Sequence, residues 1–297
     1  MKIAITGAGG LLGKELVRHF SLAGLDVTAL ERGDFDIADQ SAVQRAIGAL
    51  RPNILINCAA IVAVEQCQAN PALAQAVNRD GAGWLMQSLH ALPAPGIFVQ
   101  ISSAVVFGGW EDGTFKIEGY AESDQRRPNN VYERSKKEAE DLILSLALRL
   151  ADGLHRWYIV RTSILYGEGR RTLVDEFAET IRSGRELVLT PDRWSSPTWT
   201  RDLAAGLATH LASDPPSGIY HLANAVAPGE ATMLDISAEI GRHACRTPKL
   251  KLVPRKDFFT IPRSPSNVLR STKIPSLRPW RDALREYLTL RYHQAPA

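Results

Sequence analysis

The stretch ITGAGGLLGKEL, which begins at Ile5, places glycines in the spacing G-x-x-G-x-x-G after a short apolar run and before an amphipathic one. Glycine allows a tight turn, and the backbone N–H groups at the N-terminus of the following helix favour a bound anion. This strand–turn–helix context is typical of a dinucleotide-binding βαβ unit. The residues expected to contact the cofactor here are Gly7, Gly10, Leu11, Leu12 and Gly13.

The phosphate loop of an ATPase would need the pattern G-x-x-x-x-G-K-[ST], and the chain departs from it twice. Ala8 occupies the place of the first glycine, and Glu15 replaces the Ser or Thr that would hold magnesium. The turn therefore favours a nicotinamide dinucleotide, NADP(H) or NAD(H), over a nucleoside triphosphate.

Short apolar runs alternate with amphipathic helical stretches through the first half of the chain. This alternation predicts βαβ units, right-handed crossovers and a parallel sheet covered on both faces. We therefore expect an α/β fold with a Rossmann-like, doubly wound parallel sheet. The predicted strands are 2–6, 26–30, 53–57, 96–102 and 157–162, and the predicted helices lie near 11–23, 41–50, 71–91 and 130–150.

After residue 163 the regular alternation of strands and helices is lost, and prolines separate shorter elements. The exception is the stretch 200–223, which predicts a helix and a strand that return to the main sheet. The sequence thus predicts an NAD(P)-binding domain of residues 1–163 and 200–224. It also predicts a smaller C-terminal substrate-binding lobe of residues 164–199 and 225–297.

The composition is that of an ordinary globular protein, with 45% hydrophobic and 23% charged residues and a net charge of +3. So small a charge does not suggest a nucleic-acid partner. The eleven-residue stretch ILINCAAIVAV is too short to cross a bilayer, so no membrane partner is expected. Three unspaced cysteines favour reduced thiols and a cytoplasmic location, and the scattered histidines predict no metal site.

The end of the second predicted strand carries opposing signals for the choice of cofactor. Glu31 lies about twenty positions after the glycines, where an acidic residue binds a ribose 2′-hydroxyl and favours NAD. Arg32 is placed to accept a 2′-phosphate, which favours NADP. Of the two cofactors, NADP(H) is slightly favoured. Asp36 and Ile37 follow where a loop would flank the adenine, although Asp36 also fits an exposed turn.

A serine, a tyrosine and a lysine are placed to act on a carbonyl group. Ser102 and Ser103 end the fourth predicted strand, and ligands of parallel sheets bind beyond such ends. Tyr132 and Lys136 lie four residues apart and share one helical face. A nearby ammonium is expected to lower the pKa of the phenol, which then protonates a carbonyl oxygen as hydride reaches the carbon. The serine hydroxyl would hydrogen-bond that oxygen, and the lysine would also hold the cofactor ribose.

These features resemble the extended short-chain dehydrogenase/reductase family over nearly the whole chain. The resemblance is carried by TGAGGLLG, RPNILINCAA, VNRDG, ISSAVVFGG, VYERSK and RTSILYG. Within the family the chain is most similar to the dTDP-4-dehydrorhamnose reductases, through SSPTWTRDLA and RSPSNVLRSTK. The resemblance implies NAD(P)H-dependent reduction of a keto group on a nucleotide-linked deoxysugar.

The resemblance also assigns individual roles. Ser103 would take the Ser/Thr role of the triad, Tyr132 would be the acid and Lys136 would position the reactants and the cofactor. The residues lining the ribose and phosphate side would be Cys58, Ala59 and Ala60, and Asn78 would help to order the site. Possible homodimers are implied because dimers are common in such families.

The chain departs from the subfamily pattern on the side that would face the sugar. Ala104 and Val105 replace the usual Asp and Tyr, Glu133 replaces a Gly, and Ile164 replaces a Trp. Trp110, Trp194 and Trp199 lie in candidate pocket segments, where they either stack on a base or pack internally.

Two alternative functions stay open beside nucleotide-sugar reduction. One is another reaction of the same family, an epimerase or a reductase of a non-sugar ketone; Ala104, in place of an acidic group, argues against a dehydratase. The other is a non-catalytic, NADP-binding regulatory subunit like that of methionine adenosyltransferase, which the run Ile164–Glu168 resembles.

Overall fold

Six parallel strands form the central sheet of the protein, in a computed structural model that describes residues 1–109, 115–150 and 153–292. The strands are β1 Lys2–Thr6, β2 Asp26–Leu30, β3 Ile54–Asn57, β4 Ile97–Ser103, β5 Arg156–Thr162 and β10 Gly218–His221. Their spatial order is β10-β5-β4-β3-β1-β2, in which the direction of winding reverses between β1 and β3 as in a doubly wound fold. The predicted fold class is therefore confirmed.

Helices cover both faces of this sheet, and the apolar side chains of its central strands are buried on both sides. On one face lie α1 Leu11–Leu22 and α8 Thr200–Ala212, with Leu16 and Leu207 fully buried between helix and sheet. The other face is covered by α2 Gln40–Leu50, α5 Gly81–His90 and α6 Val131–Arg149. As the sequence predicted, α8 and β10 bring the chain back to the main sheet.

The predicted helix at 71–91 is divided in the structure. The segment from α3 Val64–Ala69 continues through α4 Pro71–Gln75 and the π-helical turn Ala76–Asp80 into α5. The π turn contains Asn78, which is buried and hydrogen-bonded to the Ile61 nitrogen in a loop and to the Ser135 hydroxyl on α6. A periodicity of 3.6 residues does not reveal such a turn, because its cause is a tertiary contact.

A second apolar core, here called the aromatic core, contains Tyr166, Trp199, Trp280 and Tyr287, each at most 1% exposed. It is enclosed by α7 Leu173–Arg182, α9 Met233–His243 and α11 Trp280–Tyr292. A short helix, α10 Arg255–Phe258, lies between α9 and α11 in the sequence. Four parallel two-stranded pairs accompany it. They are β6 Leu165–Tyr166 with β9 Thr198–Trp199, β7 Glu186–Leu189 with β12 Lys249–Leu252, β8 Trp194–Ser195 with β13 Ser266–Asn267, and β11 Asn224–Ala225 with β14 Leu277–Pro279.

Among the helices of the described ranges, none combines the length and the apolar character needed to cross a membrane. Within the same ranges, no group of three or more His, Cys, Asp or Glu side chains is arranged to hold a metal ion.

A buried carboxylate joins α6 to the neighbouring strands β4 and β5. Glu140 has no solvent exposure, and it accepts two hydrogen bonds from Arg161, at 2.9 and 2.7 Å. Arg126 donates a third at 2.9 Å, and the Ser102 hydroxyl donates a fourth at 2.5 Å. A charge this deep is tolerated only when it is paired and fully hydrogen-bonded, so this cluster fixes the relative positions of its elements.

We expect Glu140→Leu to lower the free energy of unfolding by about 3–5 kcal/mol, because it leaves the Arg161 guanidinium buried without its partner. Urea denaturation followed by circular dichroism measures the loss. The matched control is Glu179→Leu, which breaks the exposed pair with Arg171 and should cost at most about 1 kcal/mol. Equal losses of unfolding free energy in the two variants would show that the buried cluster contributes no more to stability than an exposed ion pair.

Candidate active site

The glycine turn has the shape of a cradle that only glycine can form. Gly7 adopts a φ of +67°, and a Cβ atom there would lie 2.6 Å from the Ala59 nitrogen. A Cβ atom at Gly13 would lie 2.2 Å from the Gly7 carbonyl oxygen. Gly10 caps α1 without a side-chain hydrogen bond, so the first N–H groups of the helix face the turn. The cradle fits the pyrophosphate of a dinucleotide.

On one side of this turn lies a cavity of about 310 Å³ between the ends of β1, β2 and β3. Arg32 is largely exposed at its edge, and its only ion pair among the described residues is a long one of 3.8 Å to Asp36. Glu31 approaches the turn, since a Cβ atom at Gly9 would lie 3.0 Å from its Oε1. The predicted cofactor residues lining this cavity are Gly7, Gly10, Glu31, Arg32, Asp36, Ile37, Cys58, Ala59 and Ala60.

On the other side lies a larger cleft of about 600 Å³. It holds the three candidate catalytic side chains, Ser103, Tyr132 and Lys136, together with the start of α1. The predicted cofactor residues that line it are Gly7, Gly10, Leu11, Leu12, Gly13, Cys58 and Ala60. The two cavities share Gly7, Gly10, Cys58 and Ala60, so one extended ligand can run from the adenosine side to the tyrosine.

The electrostatics of Tyr132 and Lys136 differ from the expectation. Burial raises the pKa of the Tyr132 phenol, and a hydrogen bond with the Ser103 hydroxyl opposes this only in part. The expected lowering of the phenol pKa is therefore wrong for this structure. The Lys136 ammonium donates to the Ile101 carbonyl oxygen at 2.7 Å, and burial lowers its pKa to about 8. Desolvation by burial is the largest cause of both pKa shifts.

Hydrogen bonds between buried amides hold the strand ends below the cleft. Asn57 accepts from the Thr6 hydroxyl at 2.7 Å and donates to Gln100 at 2.7 Å. Gln100 in turn donates to the Ile101 carbonyl oxygen at 2.9 Å, the same oxygen that holds Lys136. The sequence analysis missed this chain of contacts. The polar Asn57 and Gln100 within apolar strands were the signal that could have found it.

Asn78 and Cys58 support the site in different ways. Asn78 is 1% exposed, accepts from the Ile61 nitrogen at 2.7 Å and donates to the Ser135 hydroxyl at 2.9 Å. It thus connects the loop after β3 to α6 beneath the cleft, and a direct role in cofactor binding stays a prediction. Burial raises the pKa of the Cys58 thiol to about 12, so this cysteine lines the cleft as a small, unreactive side chain.

Two of the departures from the subfamily pattern lie in apolar clusters. Ala104 is fully buried in a small apolar cluster with Phe107 and Tyr120. Ile164 packs against the aromatic core. Changes at these two positions therefore alter the packing behind the cleft.

The candidate tryptophans take two positions. Trp199 is 1% exposed and belongs to the aromatic core, whereas Trp194 is partly exposed and lies 5.7 Å from the ring of Phe115. Trp110 lies outside the described residues.

The far rim of the cleft includes residues that the sequence analysis did not name as site residues. Thr162 ends β5 and Ser163 follows it, and Arg170 and Arg171 precede α7. Arg171 is paired with Glu179 at 2.7 Å and is mostly exposed. The adjacent arginines were a visible signal, but only the fold brings them to this cleft.

Fold and site together define an extended short-chain dehydrogenase/reductase. The chain belongs to the family described as RmlD substrate binding domain, whose profile matches residues 1–292. The resemblance found in the sequence is thereby confirmed.

Relatives agree with this assignment. The chain is 34% identical over 98% of both lengths to the spore coat polysaccharide biosynthesis protein SpsK of Bacillus subtilis. It is 38% identical to the dTDP-4-dehydrorhamnose reductase of Streptomyces griseus over 74% of this chain and 69% of that protein. The crystal structure of the dTDP-4-dehydrorhamnose reductase of Bacillus anthracis in complex with NADP superposes with a TM-score of 0.85, at 25% identity, covering 97% of this chain and 99% of that one.

We expect Lys136→Met to stabilise the cofactor-free protein at pH 7 by an amount of the order of 1–3 kcal/mol. The folded protein holds Lys136 at a pKa of about 8, against 10.5 for the free side chain. While Lys136 is protonated in both the folded and the unfolded state, its buried charge therefore lowers the free energy of unfolding. Between pH 8 and 10.5 the folded state loses its proton first, and the penalty disappears. The Ile101 carbonyl oxygen keeps its bond from Gln100 in the variant.

Urea denaturation at pH 7 and pH 10 measures this difference. The control is Lys137→Met, which removes the neighbouring surface lysine and its 2.8 Å contact with Asp141. A Lys136→Met variant that is less stable than the wild type at pH 7, or whose advantage does not shrink at pH 10, would contradict the expectation.

Proposed function

We propose that this protein is an NAD(P)H-dependent reductase that acts on the keto group of a nucleotide-linked deoxysugar. The observation that carries the proposal is the convergence of the glycine cradle, Ser103, Tyr132 and Lys136 on two connected cavities. One cavity suits the adenosine end of a dinucleotide, and the other is large enough for a nicotinamide beside a substrate. The names of the relatives support the same reaction class.

The bound cofactor would supply hydride to the carbonyl carbon of the substrate. Gly7, Gly10 and Gly13 would hold its pyrophosphate against the N-terminus of α1, where the backbone N–H groups lie. Glu31 and Arg32 would surround the adenosine ribose. Arg32 is exposed and only loosely paired, so it is available for a 2′-phosphate, and the Bacillus anthracis relative was crystallised with NADP.

Tyr132 would deliver the proton that completes the reduction. Its phenol is protonated at neutral pH because burial raises its pKa, and it is hydrogen-bonded to the Ser103 hydroxyl. As the carbonyl oxygen gains charge, Tyr132 would donate its proton and Ser103 would hydrogen-bond the same oxygen. The Lys136 ammonium would then stabilise the phenolate that remains.

The proposed substrate is a dTDP-linked 4-keto-6-deoxysugar, or a close variant of it. The Streptomyces griseus relative is named dTDP-4-dehydrorhamnose reductase, which supports a 4-keto group as the point of attack. Additional polar side chains reach the cleft from Ser163 and Thr172 and would meet the sugar hydroxyls.

The domain division, the compartment and the assembly are also proposals. Separate apolar clusters around the central sheet and in the aromatic core support an NAD(P)-binding domain and a substrate-binding lobe with the predicted boundaries. The three cysteines are free thiols, which supports a cytoplasmic location. A homodimer rests on the family resemblance, and light scattering of the purified protein would test it.

We expect Tyr132→Phe to lower kcat for a dTDP-4-keto-6-deoxysugar by about 10²–10⁴-fold, because the proton donor is lost. The dissociation constant for NADPH should stay within about twofold, since the glycine cradle is untouched. Tyr220→Phe is the control, because that phenol is bonded to the Pro216 carbonyl oxygen on the edge strand. Turnover that survives in Tyr132→Phe, or a wild-type protein without turnover on any nucleotide-linked keto sugar, would overturn the proposal.

We expect Arg32→Ala to weaken NADPH binding by about tenfold or more while leaving NADH binding nearly unchanged. The physical reason is the loss of a charge-assisted hydrogen bond to the 2′-phosphate, which NADH lacks. Fluorescence titration of both cofactors against the wild type and the variant measures the effect. Arg45→Ala, an exposed change on α2, is the control. Equal weakening of both cofactors would show that Arg32 does not discriminate between them.

A further inference from the structure

Glu133 is a buried carboxylate that the proposed reaction does not use. It follows Tyr132 directly, at one of the positions where the chain departs from the subfamily pattern, and it is only 2% exposed. One carboxylate oxygen accepts from the Asn129 nitrogen at 2.7 Å. The other accepts from the Ser264 hydroxyl at 3.0 Å, and the Ser264 backbone N–H also bonds to the carboxylate. An acidic side chain buried this deeply needs such hydrogen-bond partners. A glycine at this position would have no side chain to bond to Ser264.

The segment Pro262–Asn267, here called the bridging segment, runs from the start of α6 to the rim of the cleft. At its first residue, the Pro262 carbonyl oxygen accepts from the Asn130 side chain at 2.9 Å. Its last residue, Asn267, accepts at its carbonyl oxygen from the Ser163 hydroxyl at 2.7 Å, and Ser163 lines the cleft. The segment therefore connects the helix turn that carries Tyr132 with the opposite side of the substrate cleft.

Further contacts fix the middle of the bridging segment. Trp194 donates its backbone N–H to the Pro265 carbonyl oxygen at 2.9 Å, and Arg263 forms an ion pair with Glu65 on α3. Burial lowers the pKa of Arg193 to about 10, and the nearby Glu133 carboxylate opposes that shift. Glu133 thus bonds the first turn of α6 to the bridging segment at Ser264, and the strand of Trp194 bonds to the same segment at Pro265.

We infer that Glu133 is a positioning residue: by anchoring Ser264 to the first turn of α6, it fixes the bridging segment and with it the substrate side of the cleft relative to Tyr132. The kinetic consequence rests on the proposed function, whereas the structural consequence does not. Glu133 acts on the substrate through Ser264 and Ser163 and touches neither the cofactor cradle nor Lys136. It therefore affects substrate binding and leaves cofactor binding alone.

The kinetic test is a double-mutant cycle of Glu133→Ala and Ser264→Ala with a dTDP-4-keto-6-deoxysugar and NADPH. We expect KM for the sugar to rise about tenfold in Glu133→Ala and about threefold in Ser264→Ala, where the backbone bond remains. Because both changes break the same link, the double variant should match Glu133→Ala at about tenfold and not reach the additive value of about 30-fold. The dissociation constant for NADPH should change by less than about twofold in all variants.

Two further variants test whether the link itself is responsible. Glu133→Gln keeps the shape and can still bond to Ser264, so it should restore KM to within about threefold of the wild type. Glu138→Gln is the matched control, because this glutamate of α6 contacts Gln75 and lies away from the bridging segment. An additive cycle, or NADPH affinity that falls in parallel with sugar affinity, would overturn the inference.

A measurement independent of turnover completes the test. In hydrogen–deuterium exchange, peptides spanning residues 262–269 should exchange faster in Glu133→Ala than in the wild type, while those spanning β1 and α1 should be unchanged. Unchanged exchange at 262–269 would overturn the inference even if KM rises. If the wild type turns over no keto sugar, the proposed function fails, and the exchange result alone decides the role of Glu133.

Discussion

The charge of Glu140 is the constraint on which the arrangement of the site depends. This carboxylate has no contact with solvent, so its burial requires the guanidinium groups of Arg161 and Arg126 and the hydroxyl of Ser102. The partners come from β5, from the loop before α6 and from the end of β4. Lys136 lies one helical turn before Glu140. Burial lowers the pKa of Lys136, and the Glu140 carboxylate opposes this shift only in part. The same ionic cluster thus fixes β4, on which Ser103 follows Ser102, and the helix that carries Lys136.

Much of the fold followed from sequence because its signals are local. Strand and helix periodicities and the glycine turn specify βαβ units, and parallel strands bring their carboxyl ends to one edge of the sheet. The convergence of Ser103, Tyr132 and Lys136 was predictable for that reason. The π turn around Asn78 and the hydrogen bond of Lys136 to Ile101 were not, since both depend on which backbone groups lie beneath the cleft.

The error over the tyrosine has the same origin. The spacing of Tyr132 and Lys136 indicates proximity, but the sign of a pKa shift depends on whether attraction or desolvation is larger. Burial decides this for both groups, and burial is a property of the whole fold. The departures at Ala104 and Ile164 show a related limit. Both were compared with positions that would face a sugar, yet Ala104 lies in a sealed apolar cluster and Ile164 packs against the aromatic core.

The pKa shifts of Tyr132 and Lys136, which run in opposite directions, define the protonation state of the resting site. Burial disfavours the charged form of each, which means phenol over phenolate for Tyr132 and amine over ammonium for Lys136. With a lysine pKa of about 8, however, the amine is still mostly protonated at pH 7, so the resting pair holds both of its protons. The Tyr132 proton is thus present for transfer to a carbonyl oxygen, which is the step that the proposed function assigns to this residue.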